Sequence, residues 1–107
     1  MEVSKRDWKL YREKLPEWQE AFMENLVAEY VEYLTSDEPA STKFWEMEKR
    51  IKRDKKNPGV WIEVNKQDMP FDLLRLLQEE VITVDDLEDF SNDVKEAVIF
   101  LKERLGR

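Results

Sequence analysis

The chain has 107 residues, 18 of them basic and 25 acidic, for a formal net charge of -7, with no cysteine and no histidine. One domain, residues 1–107, is the natural count at this length. The missing residue types exclude disulfide frames, thiol nucleophiles, zinc–thiolate sites and every His-based dyad, and the only two glycines, Gly59 and Gly106, cannot build a P-loop or dinucleotide-binding turn.

Ser4 and Asp7 resemble a capping box at the start of a first helix. From there Trp8, Tyr11, Leu15, Trp18 and Phe22 recur at steps of 3 and 4, one helical face. Pro16 interrupts the series, and proline is favoured in a first turn and costly in an interior. The pattern predicts a short helix over about 5–14 and a longer one over about 16–35, with one kinked helix as the alternative. The apolar stripe drifts onward to Leu26, Tyr30 and Leu34, with Met23, Val27 and Val31 alongside. Steps of four move about 40° around a helix, which implies packing against two neighbours and not a coiled coil. Glu29 falls where an apolar group would be wanted, and is expected to be partly buried with a basic partner.

Residues 35–41 read as a loop around Pro39. Ser41 or Thr42 is expected to cap a third helix, to about residue 55, with Phe44, Met47 and Ile51 as its narrow apolar stripe. Asn57-Pro58-Gly59 stops it. Val60 to Val64 is the one β-branched run, expected as an extended segment or as an edge pairing between protomers. Pro70 opens a further helix carrying Leu73, Leu74, Leu76 and Leu77. This LxxLL run matches groove-docking helices, but its apolar density reads as core. Thr83 and Asp86 suggest another capping box, before a short turn with Leu87 and Phe90. Ser91 caps a last helix with Val94, Val98, Leu101 and Leu105, and Gly106 is placed as its C-cap. The expected fold is all-α, a compact bundle of five or six helices with one short extended segment near 60–64.

The start of the chain has no apolar signal region, and the longest apolar run, Ala97 to Leu101, is far shorter than the roughly 20 residues of a membrane helix. The expected compartment is the cytoplasm. Carboxylates are the only abundant reactive groups. Asp85, Asp86, Glu88, Asp89 and Asp93 crowd one stretch, but Phe90 occupies the position where an EF-hand needs glycine. They read as a solvated helix start. Paired carboxylates acting as acid and base cannot be picked out by spacing in so acidic a chain. No catalytic residue, metal site or cofactor is therefore assigned. Trp8 and Trp18 belong to the apolar stripe. Trp45 lies off its stripe and Trp61 in the extended segment, so these two are candidate partner anchors.

Charge is unevenly distributed. Residues 17–38 hold seven acids and no bases, and so do residues 79–93, whereas residues 39–56 hold seven bases against three acids. Glu13, Glu17, Glu20 and Glu24 step by 4, 3 and 4, within about 60° of arc on one helix. Beside the plain reading of a solubilising face, this stripe is the candidate contact for a basic protein partner. Alternatively it imitates the phosphates of a strand and fills a groove built for nucleic acid. Direct nucleic-acid binding is not expected, because acids flank the only basic cluster, Lys49 to Lys56. That cluster is expected to neutralise the acidic helices within the fold or across a homodimer.

Arg6-Asp7-Trp8, Leu15-Pro16-Glu17-Trp18, Phe44-Trp45-Glu46 and the run from Val81 to Ser91 resemble a set of small bacterial helical proteins of unassigned activity, some labelled multidrug transporters. A chain without a membrane span cannot transport by itself, so that label is set aside. The resemblance transfers no catalytic or binding residue and implies a bacterial or mobile-element accessory protein. The sequence reading is thus a non-enzymatic interaction or regulatory module, with Glu13, Glu17, Glu20, Glu24, Trp45 and Trp61 as candidate contacts. The alternative is a nucleic-acid mimic of the anti-restriction or anti-CRISPR kind.

Overall fold

The computed structural model describes residues 2–105, so the C-cap expected at Gly106 lies outside the described residues. The order is α1 (Lys5–Leu34), α2 (Ala40–Asp54), α3 (Met69–Gln78) and α4 (Asn92–Arg104), with 3₁₀ turns at Lys66–Asp68 and Val84–Leu87. The all-α class holds, with four α-helices among the described residues instead of five or six. The two helices expected on either side of Pro16 are one continuous helix. Pro16 removes one N–H bond, but Arg12, whose carbonyl would have received it, is exposed and can be solvated. The expected helix around Leu87 is only a single 3₁₀ turn. No strand forms over 60–64, and residues 61–65 run without regular structure.

Helix starts follow their side chains. Ser4 Oγ accepts from the Asp7 backbone N–H at 3.1 Å, and Ser91 Oγ from that of Val94 at 3.3 Å. The Asp86 carboxylate reaches back to the Thr83 N–H at 2.7 Å. Helix α2 begins one residue before the expected Ser41 cap. Pro39 takes the N-cap place with φ already at -60°, and its carbonyl accepts from the Lys43 N–H.

The core gathers Tyr11 and Leu15 of α1, Leu73, Leu74 and Leu76 of α3, and Val94 and Val98 of α4, closed by Val3, Ile62, Met69, Ile82, Leu87 and Phe90. Each large apolar side chain buried here is worth about 1.5–3 kcal/mol. The LxxLL leucines are therefore core, with only Leu77 at its margin. No residue between 16 and 61 is among these buried apolar residues. The second half of α1 leaves the core and continues with α2 as a two-helix arm. The result is elongated, 52 × 28 × 22 Å with a radius of gyration of 16.6 Å, where a compact chain of this length has about 13 Å. The expectation of a compact bundle is corrected accordingly.

A turn at 57–59 fastens the root of the arm. Asn57 Oδ1 accepts from the Gly59 N–H at 2.8 Å, and Gln19 Nε2 donates to the Pro58 carbonyl at 2.9 Å. A Cβ on Gly59 would stand 2.6 Å from Phe22 Cγ, so this close approach requires glycine. No described helix is long and apolar enough to cross a membrane.

Candidate functional site

The arm is where charge and exposed apolar surface coincide. Glu13, Glu17, Glu20 and Glu24 are all exposed, and none forms a salt bridge among the described residues. Their spacing sets them in one line along α1, away from buried Leu15. Glu29, expected to be partly buried, is exposed.

The basic cluster of α2 does not neutralise that line. Arg50 pairs with Glu46 of its own helix at 2.9 Å, and its guanidinium lies 4.2 Å from the centre of the Tyr33 ring. Arg53 pairs with its neighbour Asp54 at 3.0 Å. Asp54 also accepts a 2.5 Å hydrogen bond from the Tyr30 hydroxyl, tying α2 to α1. Burial opposes charge on Asp54, but hydrogen bonds from Arg53 and Tyr30 outweigh it and hold the carboxyl below its usual range. Tyr30 responds in the opposite sense. Burial and the adjacent carboxylate raise its phenol to about 12.

The two halves of α2's apolar stripe behave differently. Of the apolar stripe expected at Phe44, Met47 and Ile51, Met47 is half-buried, whereas Phe44 is 65% exposed and Ile51 is also open. Trp45 is 63% exposed and meets Phe44 edge-on, ring centres 5.0 Å apart. On α1, Val27, Val31 and Leu34 are exposed as well. The two helices of the arm thus leave several aromatic and branched side chains exposed, a kind of surface from which contact sites can be built.

Trp61 is equally exposed but stands apart from Trp45, at the root of the arm. It lines a cleft of about 550 Å³ with Lys55, Phe71, Asp72 and Arg75. The structure thus does not bring the two tryptophans into one site. Asp72 was not singled out by its sequence context. It is 4% exposed, and neither its Oδ2 nor the buried Tyr11 hydroxyl has a hydrogen-bond partner among the described residues. Burial, reinforced by the nearby charge of Asp68, raises the Asp72 carboxyl to about 6. Such a group can exchange a proton near neutrality, but no described cluster of three acidic side chains is arranged to hold a metal ion.

Comparison with protein-family models, with curated proteins and with solved structures returns no match. The candidate site therefore rests on its own geometry.

Proposed function

We propose that the chain is a non-enzymatic protein-interaction module that binds a basic partner through the acidic face of α1, with Trp45 and Trp61 as apolar anchors. The observation that carries this reading is the line of four exposed carboxylates with no base paired to it among the described residues. A merely solubilising helix commonly interleaves opposite charges at i and i+4, and residues 17–38 contain no base at all. Aligned charges of one sign steer an oppositely charged surface, and exposed tryptophan supplies the desolvated contact that charge alone does not.

The test is affinity capture on the immobilised folded chain, followed by titration of the recovered partner in rising salt. Affinity is expected to fall with salt and to weaken about tenfold or more when Glu13, Glu17, Glu20 and Glu24 are changed together to Gln. Trp45→Ala or Trp61→Ala should weaken it further. Binding indifferent to all these changes, or no specific partner at all, overturns the reading.

A second reading rests on the same carboxylates, which rise about 5.4 Å per turn and so run like the phosphates of a strand. On it, the partner is a nucleic-acid-binding protein and the chain competes with its DNA or RNA. Displacement of the recovered partner by a short duplex or single strand would select this reading, and simultaneous binding would exclude it.

A further inference from the structure

The cleft beside Trp61 holds a buried carboxylate that its own chain leaves unanswered. Asp72 lines this cleft and is 4% exposed. Its Oδ2 is sealed from solvent without a hydrogen-bond partner, and no base forms a salt bridge to the carboxylate among the described residues. Tyr11 of α1 lies near enough to feel the charge, but its hydroxyl is unpartnered too. A carboxylate buried without a donor is costly, and folded chains ordinarily supply one.

The charges that line the cleft balance, with Lys55, Lys56 and Arg75 against Glu63, Asp68 and Asp72. Depth therefore decides what can bind. Lys55, Lys56, Glu63 and Asp68 are exposed, where water weakens their fields, Arg75 is half-buried, and only Asp72 is buried. Trp61 and Phe71 line the same cleft and are both exposed, and aromatic faces attract cations. At about 550 Å³ the cleft has the size of a small-molecule site, roughly 300–1,000 Å³.

We infer that this cleft binds an organic cation that donates N–H bonds, an ammonium or guanidinium on an apolar body. Its nitrogen takes the open carboxylate of Asp72, and its body lies against Trp61 and Phe71. A donor of opposite charge offsets what burial removes from the carboxylate, and so is favoured over a neutral donor of the same shape. An anion would find exposed lysines and half-buried Arg75, but Asp72 repels it from the floor. The inference does not rest on the partner binding proposed above, since a free cation is enough to fill the cleft.

Titration of the isotope-labelled chain with phenethylammonium, followed by NMR, tests it. At pH 7 the cation should bind saturably and shift the Trp61 indole N–H, a signal identified by its loss in Trp61→Phe. Phenylethanol, similar in shape and uncharged, should bind at least about tenfold more weakly, and phenylpropionate should not saturate. Around Asp72 stand Asp68 and Arg75 along the start of α3, Lys55 and Lys56 after α2, Glu63 of the extended segment and Tyr11 of α1. Burial, then Asp68, raise the Asp72 carboxyl to about 6, while the ligand stays protonated. Affinity should therefore rise about tenfold from pH 5 to pH 7, as the carboxylate ionises. In Asp72→Asn the rise should vanish and affinity at pH 7 should fall about tenfold. Phe71→Ala, at an exposed position, should weaken binding several-fold, and keeps the inference testable should Asp72→Asn disturb the fold. Comparison with N-acetyl-arginine amide separates two sources of the cation. Tighter binding of phenethylammonium assigns the cleft to a free amine, and tighter binding of the arginine derivative to a protein side chain. No saturable binding of either cation, equal binding of phenylethanol, tighter binding of phenylpropionate, or affinity indifferent to pH, to Asp72→Asn or to Phe71→Ala overturns the inference. Because no partner protein enters the experiment, its failure is distinct from failure of the proposed partner binding.

Discussion

Asp7 and Asp72 are both buried in the first turn of a helix, yet their surroundings set opposite protonation preferences. Asp7 is 1% exposed and receives three hydrogen bonds, from Ser4 Oγ at 3.0 Å, the Ser91 N–H at 3.0 Å and Ser91 Oγ at 2.6 Å. Burial opposes its charge, but the bonds from Ser91 and Ser4 prevail and hold the carboxyl below its usual range. One carboxylate thereby joins the caps of α1 and α4, two helix starts whose dipoles both favour negative charge. Its contribution is complete above the unfolded value near 3.9 and is lost as pH falls through the folded value. Asp72 works the other way. Its carboxyl is raised to about 6, so the fold is favoured below the unfolded value, and that advantage disappears as pH rises through about 6. Asp72→Asn should therefore raise stability at pH 8 relative to pH 5 by on the order of 1–2 kcal/mol, allowing for solvent at the cleft mouth. Asp7→Asn should instead cost about 2–3 kcal/mol at neutral pH. Denaturant unfolding of both variants at the two pH values checks this, and an Asp72→Asn difference that does not change with pH would refute it. The Ser4–Asp7 cap is legible in the sequence because it is local. The bond to Ser91, 84 positions away, depends on how α1 and α4 meet, which no local pattern encodes.

At the scale of elements, the end of α3 shows both what local pattern reveals and what it conceals. The helix closes as a Schellman motif, with the Val81 N–H donating to the Leu76 carbonyl at 2.9 Å and the Glu80 N–H to that of Leu77 at 3.1 Å. This geometry needs one residue in the left-handed region, and Glu80 occupies it with φ 58°. Glycine ordinarily marks such a stop, so its absence hides the stop from the sequence. Glu80→Gly should raise stability by up to about 1 kcal/mol, since relief of the left-handed strain exceeds the added freedom of the unfolded chain. Thermal unfolding with unchanged helix content checks this, and a lower Tm would contradict it. Pro16 conceals in the opposite way. Proline usually marks a boundary, but the stripe of Tyr11, Leu15 and Trp18 stays on the core side across it, and packing overrides the local preference. Helix α2 was legible as amphipathic. Periodicity shows that Phe44, Met47 and Ile51 share a side, but not whether that side meets its own core, and here only Met47 is half-buried.

For the whole molecule, the decisive asymmetry is that the apolar core draws on both ends of the chain and skips its middle. The base of the molecule is closed by residues from α1, α3, α4, Val3 before α1 and the segments on either side of α3. Within the arm, Tyr30–Asp54 and the Arg50–Tyr33 contact hold α2 to α1, and the turn at Gly59 packs against Phe22 at its root. Free energies of local opening follow buried apolar contact, so the two parts should open separately. In hydrogen exchange at low protein concentration, α2 amides should lose protection well before those of α3 and α4, whose Leu73, Leu74 and Val94 are fully buried. Uniform protection along the chain would show that the arm is stable alone.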